Sequence, residues 1–188
     1  MIVYLHGFNS SPASHKAQLL QRYLEDRGLG NRFLCPALPD TPAEAIRMIE
    51  NAIDRQRPGD VTYVGSSLGG FYATWLTEKT GCRAVLVNPA ITPHEGLRGY
   101  LGPQKNLYTE QEYELTEAHL AQMNALYIAR PVRMDQYLLL HTTGDELLDW
   151  RVAVERFRGC RQMVVDGSDH GFSEFGDYID SVLEFAAH

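Results

Sequence analysis

The most informative segment of this chain is Val61-Thr62-Tyr63-Val64-Gly65-Ser66-Ser67-Leu68-Gly69-Gly70. A β-branched and aromatic run opens it, and apolar side chains then follow at helical spacing, so the segment predicts a strand, a sharp turn and a helix. The turn matches the pattern Gly-x-Ser-x-Gly with Ser67 at its centre. Such a turn presents the serine hydroxyl at the end of the strand, and glycines flank it because the bend leaves no room for a Cβ atom. Ser66 is the alternative serine, but only Ser67 has a glycine two positions away on both sides.

Short apolar runs alternate with segments of helical period on both sides of this turn. The predicted strands cover residues 2–5, 32–36, 61–64, 84–88, 136–141 and 162–165. Continuous runs of Val, Leu, Ile and Tyr are typical of strands that are covered on both faces. The alternation predicts an α/β fold with about six mostly parallel strands and helices on both faces of the sheet. In such a sheet the ligand binds beyond the carboxyl ends of the strands, so the residues that follow each strand are the candidates for chemistry.

A start signal for one of the helices stands at Thr41-Pro42-Ala43-Glu44. Pro42 fits the first helical position, and Ile46, Ile49 and Ile53 follow at helical spacing. The Thr-x-x-Glu spacing predicts a capping box, in which the two side chains bind free N–H groups at the start of the helix.

Residues 91–134 depart from the alternation because they show no strand signal and are longer than a crossover requires. We predict that they form a small helical lid insertion over the active edge of the sheet. The predicted lid carries Tyr100, Tyr108, Tyr113 and Tyr127. The alternative is an extended crossover that packs on the core. No linker or repeat divides the chain, so a single domain is predicted over residues 1–188.

Charge and composition disfavour several classes of partner. The chain holds 17 Lys and Arg against 24 Asp and Glu, a net charge of −7, which argues against nucleic acids and anionic membrane surfaces. The sequence contains no run of about 20 apolar residues that would span a bilayer. The N-terminus lacks the features of a secretory signal, and three distant cysteines favour reduced thiols, so a cytoplasmic protein is expected. No CxxC, HExxH or HxH spacing occurs, and neither a metal nor another cofactor is expected.

A serine hydroxyl needs a neighbouring base to become a nucleophile, and His170 is the best candidate. It lies in Gly167-Ser168-Asp169-His170-Gly171-Phe172, after the last predicted strand and therefore at the active edge. His6 also follows a strand, but there the neighbouring backbone is the more useful part. His141 lies inside an apolar strand and is predicted to be a core histidine with satisfied hydrogen bonds.

The base must be held in one tautomer by an acid, and Asp145 is the predicted acid. It follows the strand predicted at 136–141, on the same edge as Ser67 and His170. Asp149 is an alternative, although it is better placed to cap the helix that follows it. Asp166 and Asp169 are nearer to His170 in sequence, but a residue in the same tight loop tends to point elsewhere.

Two backbone N–H groups are predicted to stabilise an oxyanion at this edge. The N–H of Leu68 lies at the start of the helix after Ser67, where the helix dipole favours negative charge. The turn Gly7-Phe8 follows the first strand and offers the N–H of Phe8 as the second donor.

The whole chain resembles the α/β-hydrolase superfamily in a minimal form, and more closely the small bacterial esterases of the YqiA/YcfP type. The residues that carry this resemblance are Tyr4-Leu5-His6-Gly7-Phe8-Asn9-Ser10-Ser11-Pro12, the segment Val64–Leu76, Val87-Asn88-Pro89-Ala90, Thr143-Gly144-Asp145-Glu146 and Asp169-His170-Gly171-Phe172. The resemblance implies a six-stranded sheet that lacks the two antiparallel strands opening the full superfamily fold. It also implies cleavage of carboxylic esters, with thioesters as a further class.

The order Ser67, Asp145, His170 is the order expected for this arrangement. We therefore predict a serine esterase that acts through an acyl-enzyme on small or medium acyl esters, with a small-molecule ester or thioester as its partner. Two alternatives remain open: an acyl-CoA thioesterase that uses the same residues, and a binding module of the same fold without catalysis.

Overall fold

The computed structural model describes residues 1–187, apart from the side chain of Pro58, so the predicted domain end at His188 lies outside the described residues. The described strands are, in chain order, β1 (Ile2–Leu5), β2 (Phe33–Leu34), β3 (Thr62–Ser66), β4 (Arg83–Val87), β5 (Gly102–Lys105), β6 (Glu112–Leu115), β7 (Tyr137–Thr142) and β8 (Arg161–Val165). Six of them form one sheet in the spatial order β2-β1-β3-β4-β7-β8, and all neighbouring pairs are parallel. The predicted fold class is confirmed.

The strand order opens a crevice at one point of the sheet edge, between the neighbouring strands β1 and β3. The chain runs from β1 outward to β2 and then returns to the other side of β1 to form β3. In parallel sheets, a reversal of this kind sends the two connections to opposite faces of the sheet. A crevice then opens between the two strands at their carboxyl ends. The turn after β1 and the turn after β3 therefore meet at this crevice.

The helices are, in chain order, α1 (His15–Glu25), α2 (Pro42–Ile53), α3 (Leu68–Thr80), α4 (Pro93–Gly96), α5 (Glu117–Ala125), α6 (Trp150–Arg156) and α7 (Ile179–Ala187). Residues of α2, α3, α5 and α6 pack on one face of the sheet, and residues of α1 and α7 pack on the other. Alternate strand residues supply the two cores: Val3 and Tyr63 belong to one, and Tyr4 and Val64 to the other. No described helix is long and apolar enough to cross a membrane.

All six predicted strands of the sheet are present, with ends that differ from the prediction by two residues or fewer. The strand β2 shows the largest loss, because only two of five predicted residues form it. Pro36 follows closely and disfavours continued pairing, since proline lacks an N–H group and restricts the residue before it.

The predicted capping box at the start of α2 is wrong. Thr41 is the N-cap residue and Pro42 opens the helix, but the threonine side chain makes no capping hydrogen bond. Instead, the N–H of Ala43 donates to Oε1 of Gln122 in α5 at 3.0 Å, and the N–H of Glu44 donates to the main-chain oxygen of Thr41. A tertiary contact therefore replaces the local cap.

The prediction that residues 91–134 contain no strand is also wrong, because β5 and β6 form an antiparallel hairpin there. Its strands read Gly-Pro-Gln-Lys and Glu-Tyr-Glu-Leu, and most of their side chains remain exposed or half-buried. Residue types of this kind are rare in strands, so the composition concealed the hairpin. The helices α4 and α5 lie in the same insertion, and its role as a lid stays a prediction.

Candidate active site

Ser67 lies in a strained turn between β3 and α3. Its backbone angles are φ 54° and ψ −119°, a region that residues other than glycine rarely adopt. The N–H of Ser67 donates to the main-chain oxygen of Val87 at 3.1 Å, and its carbonyl accepts from Ala90 at 3.0 Å and Gly70 at 2.9 Å. These contacts from a second loop and from α3 hold the turn in its strained form.

The glycines on either side of Ser67 are required by close backbone contacts. A Cβ atom on Gly65 would lie 2.3 Å from the main-chain oxygen of Gly69, and a Cβ on Gly69 would lie 1.9 Å from that of Leu5. Both distances are far below any contact that real side chains make. The predicted steric reason for the two glycines is therefore confirmed.

Asp145 and His170 form a direct pair. Oδ2 of Asp145 lies 2.8 Å from Nδ1 of His170, while Oδ1 accepts from the N–H groups of Leu147 at 2.9 Å and Leu148 at 2.8 Å. The Asp145 side chain is fully buried and that of His170 is 17% exposed. Burial raises the pKa of Asp145, but the hydrogen bond and charge of His170 and the two N–H groups outweigh it and hold the pKa below its usual range. The carboxylate is thus ionised and fixed in place.

The alternative acids have other partners. Asp149 accepts from the N–H of Arg151 at 3.0 Å as the N-cap of α6, which confirms its predicted capping role. Asp166 accepts from the Thr143 hydroxyl at 2.8 Å, and Asp169 accepts from the hydroxyl of Ser173 at 2.8 Å. Among the carboxylates in residues 1–187, only that of Asp145 bonds to the His170 ring.

The alternative histidine His6 has a structural role. Its Nε2 accepts from the N–H of Leu38 at 3.0 Å, and its Nδ1 lies 3.1 Å from the main-chain oxygen of Gly7. Because a carbonyl can only accept, these partners assign the proton to Nδ1. Burial lowers the pKa of His6, which keeps the ring neutral. The ring joins the turn after β1 to the segment that precedes α2.

His141 is buried in β7, as predicted, but its hydrogen bonds are only half satisfied. Its Nδ1 lies 3.1 Å from the main-chain oxygen of Thr142, whereas Nε2 finds no partner among the described residues. Burial lowers the pKa of His141, so the ring avoids carrying a buried charge.

One segment, beginning at the last residue of β4, bonds to the backbones of both Ser67 and His170. The segment after β4 bonds to the backbone of Ser67 at Val87 and Ala90, and Asn88 between them donates to the main-chain oxygen of His170 at 3.1 Å. Within residues 1–187 the Ser67 hydroxyl itself makes no hydrogen bond to His170. Hydrogen bonds between catalytic groups commonly shorten only when substrate binds. The assignment of Ser67, Asp145 and His170 as a triad stays a prediction.

The two predicted oxyanion donors lie at one cavity. Neither the N–H of Phe8 nor that of Leu68 donates to another described residue, and both residues line the same cavity of about 460 Å³. The turn that holds Phe8 passes directly beside the serine, since a Cβ atom on Gly7 would lie 3.2 Å from Cβ of Ser67. Both N–H groups are thus free to bind a ligand atom.

Asn88 is a residue of the site that sequence reasoning missed. It is fully buried, has a positive φ of 42°, and its Nδ2 lies 3.1 Å from three acceptors: Oγ1 of Thr142 and the main-chain oxygens of Asp169 and His170. Its Oδ1 accepts from the N–H of Thr142 at 2.9 Å. The one available signal was its position as the last residue of the strand predicted at 84–88, where a buried amide is unusual.

Two charged side chains also hold the histidine loop and were not predicted. Oε2 of Glu146 accepts from the N–H of His170 at 2.9 Å, and Nζ of Lys16 donates to the main-chain oxygen of Gly171. Burial lowers the pKa of Lys16 to about 8, although Asp169 and Asp145 oppose the shift. The His170 backbone is thus fixed from α1, β4 and the loop after β7.

The hairpin of β5 and β6 is bonded to the turn that carries Phe8. The side chain of Asn9 donates to Gln104 at 3.1 Å and accepts from the hydroxyl of Tyr113 at 2.8 Å. Asn106 donates to the main-chain oxygen of Ser10 at 2.7 Å, and the N–H of Leu107 donates to that of Asn9 at 2.9 Å. Of the four tyrosines predicted to lie over the site, only Tyr113 lines the cavity.

This fold, with its strained serine turn at the end of a central strand, is that of an α/β-hydrolase. One similar solved structure is alpha/beta hydrolase domain-containing protein 10 from mouse, with a TM-score of 0.72, 15% identity and coverage of 97% of this chain and 89% of that chain. Another is Est1E from Butyrivibrio proteoclasticus with ferulic acid bound. Its TM-score is 0.69 at 14% identity, and the match covers 99% of this chain and 86% of that chain. The predicted resemblance is confirmed.

The chain belongs to the uncharacterised protein family UPF0227, whose model matches residues 1–187. A UPF0227 protein from Serratia proteamaculans (strain 568) is 23% identical over 189 residues, which cover 98% of each chain. The family assignment thus extends over the whole fold, including the hairpin insertion.

Proposed function

We propose that this protein is a serine hydrolase of carboxylic esters that acts through an acyl-enzyme on small or medium acyl groups. The observation that carries the proposal is the strained turn at Ser67, with φ 54°, beside two N–H groups that have no partner among the described residues. A strained non-glycine backbone is retained only where surrounding contacts enforce it, and such strain concentrates at functional sites.

In the first step, Oγ of Ser67 attacks the ester carbonyl while Nε2 of His170 accepts the serine proton. Asp145 bonds to Nδ1 of His170 at 2.8 Å, so Nε2 is the nitrogen that takes the serine proton. The carboxylate of Asp145 then stabilises the imidazolium that forms. The proton then passes from His170 to the alcohol, which leaves, and an acyl-serine ester remains.

In the second step, water attacks the acyl-serine carbonyl and gives a proton to His170. Collapse of the tetrahedral intermediate returns that proton to Oγ of Ser67 and releases a carboxylic acid. The N–H groups of Phe8 and Leu68 stabilise the oxyanion in both steps. In other enzymes, removal of one such donor lowers kcat by about 10²–10³-fold, and we expect a contribution of this size from each N–H group. Est1E, which shares the fold, was solved with ferulic acid bound, and a carboxylic acid is the class of product expected here.

The cavity beside the oxyanion donors favours esters over acyl-CoA. Its lining includes Asp40 and Glu44 and no lysine or arginine among the described residues. The phosphates of coenzyme A require cationic partners, which this cavity does not offer. The net charge of −7 adds a general repulsion of such a polyanion.

Hydrolysis of p-nitrophenyl esters from acetate to octanoate tests the proposal, with acyl-CoA of matched length in parallel. We expect ester hydrolysis, and we expect Ser67→Ala to lower kcat by about 10⁴-fold or more. Ser66→Ala is the matched control, because it removes the neighbouring hydroxyl and should keep most of the activity. Full activity of Ser67→Ala would contradict the mechanism, and faster turnover of acyl-CoA than of esters would contradict the substrate class.

A further inference from the structure

The cavity at the proposed oxyanion donors adjoins the Ser67 turn. Phe8 and Leu68, which carry these donors, both line it, and so does Gly7, where a Cβ atom would lie 3.2 Å from Cβ of Ser67. Its other walls come from the segment before α2 and from the hairpin of β5 and β6, represented by Leu38 and Tyr113. A substrate whose carbonyl is bound by these donors therefore extends one of its two arms into this space of about 460 Å³.

The lining of the cavity suits an arm that is uncharged but carries polar atoms. Polar side chains such as Asn106, Thr109 and Gln111 alternate with Leu115 and Met123 along the walls. With carboxylates in the lining and, among the described residues, no cationic side chain, an anionic arm would be repelled.

One tyrosine hydroxyl in this lining makes no hydrogen bond to a described residue. Tyr72 lies on α3, five positions after Ser67, is 2% exposed and lines the cavity. Its hydroxyl bonds to no other residue among 1–187, whereas that of Tyr113 in the same cavity donates to Asn9. A hydroxyl on a cavity wall that makes no hydrogen bond within the protein is available to donate one to a bound molecule. Burial and then the nearby Tyr113 raise the pKa of Tyr72, so the hydroxyl keeps its proton and acts as a donor.

We infer that Tyr72 is a specificity-determining residue whose hydroxyl donates a hydrogen bond to an acceptor atom on the uncharged substrate arm in this cavity. This inference rests on the proposed function. The substrate class it defines is a neutral ester with a second oxygen, as an ether, a hydroxyl or a further carbonyl, on the arm that enters the cavity. The scissile carbonyl binds at Phe8 and Leu68, and the second oxygen binds at Tyr72.

The test compares esters that differ only in one oxygen atom. One series uses p-nitrophenyl hexanoate and its analogues in which one methylene of the acyl chain is replaced by an ether oxygen. A second series uses hexyl acetate and analogues with the same replacement in the alcohol. The quantity measured is the ratio of kcat/KM for each oxygen-containing ester to that of its methylene parent. Comparison of this ratio between protein variants cancels the intrinsic reactivity of the esters.

For the wild-type protein we expect one position of the oxygen, in one series, to raise kcat/KM. In Tyr72→Phe this preference should fall by about 5- to 10-fold, the usual value of one hydrogen bond, while kcat/KM for the methylene parent stays within about twofold. Tyr63→Phe is the matched control, because Tyr63 is a fully buried tyrosine of β3 that does not line the cavity, and it should keep the preference. The midpoint of thermal unfolding of Tyr72→Phe should not fall, since no hydrogen bond within the protein is lost.

An unchanged preference in Tyr72→Phe, or an equal loss on all esters, would overturn the inference and leave the esterase proposal intact. A wild-type protein that prefers the methylene parent at every position would overturn it as well. A folded wild-type protein that hydrolyses none of the esters would instead contradict the proposed function, and the inference with it.

Discussion

The side chain of Asn88 donates from Nδ2 to the main-chain oxygen of His170 at 3.1 Å. The loop after β4 therefore holds the backbone of the proposed base. Val87, directly before Asn88, and Ala90, two positions after it, bond to the backbone of Ser67. One short segment therefore links the backbones of the proposed nucleophile and the proposed base. The backbone of His170 is held in part by this buried amide.

Replacement of Asn88 by alanine should lower both stability and activity. Asn88→Ala leaves the N–H of Thr142 and the main-chain oxygen of His170 without the partner that Asn88 supplies, which should cost about 2–3 kcal/mol in the free energy of unfolding. We expect kcat to fall about tenfold with little change in KM, because the base moves while the cavity does not. Urea unfolding and steady-state kinetics measure the two effects.

Asn51→Ala is the control for this prediction. Because Asn51 lies on the exposed side of α2, its substitution should leave the free energy of unfolding within about 0.5 kcal/mol of wild type. Equal effects of the two substitutions would contradict this role of Asn88.

Asp145→Asn should separate the predicted acid from its closest alternative. The amide cannot stabilise the protonated ring and favours the wrong tautomer, so we expect kcat to fall by about 10³–10⁴-fold. Asp149→Asn keeps the cap of α6, since asparagine is an equally good N-cap residue, and should retain activity within about twofold. Ester hydrolysis by both purified variants decides the matter, and a larger loss in Asp149→Asn would reverse the assignment.

The steric requirement at Gly69 predicts a severe loss of stability in Gly69→Ala. The new Cβ atom would lie 1.9 Å from the main-chain oxygen of Leu5, so β1 and α3 must move apart or the chain must remain unfolded. We expect a destabilisation above about 4 kcal/mol, measured by circular dichroism during thermal unfolding. Gly99→Ala is the control, because no atom lies within 4 Å of a Cβ at that position. A Gly69→Ala protein as stable as the control would show that the close approach of α3 to β1 is wrong.

Lys16 gives a prediction for the pH dependence of stability. Burial lowers its pKa in the folded protein to about 8 from 10.5, so between these values the unfolded chain binds more protons than the folded one. The free energy of unfolding of the wild type, relative to Lys16→Met, should therefore rise as the pH increases from about 8 to about 10.5. Urea unfolding of both proteins across this range measures the difference. A flat or falling difference would show that Lys16 is not desolvated beneath the histidine loop.

The strands of the sheet and the Ser67 turn could be predicted because their causes are local in sequence. Continuous apolar runs define strands that are buried on both faces. The glycines at 65 and 69 indicate a turn in which a Cβ atom would collide with neighbouring residues of the turn and with β1. The pairing of Asp145 with His170 could also be predicted, because parallel topology brings residues that follow different strands to one edge.

The hairpin of β5 and β6 and the role of Asn88 could not be predicted because their causes are distant in sequence. The hairpin is stabilised by bonds from Gln104, Asn106 and Tyr113 to the turn at Asn9 and Ser10, about a hundred positions earlier. Asn88 finds its partners 54 to 82 positions later, and nothing in the local sequence identifies them. Polar residues that gain their partners only on folding leave no periodic signal.

Labelling with a fluorophosphonate tests the central claim most directly, because such probes react with an activated serine hydroxyl and require no knowledge of the substrate. We expect the folded wild-type protein to gain the mass of one phosphonyl group, with peptide mapping placing it on Ser67, and His170→Ala to react at least about 10³-fold more slowly. A folded protein that stays unlabelled, or that carries the label on Ser66 or another residue, would contradict the account.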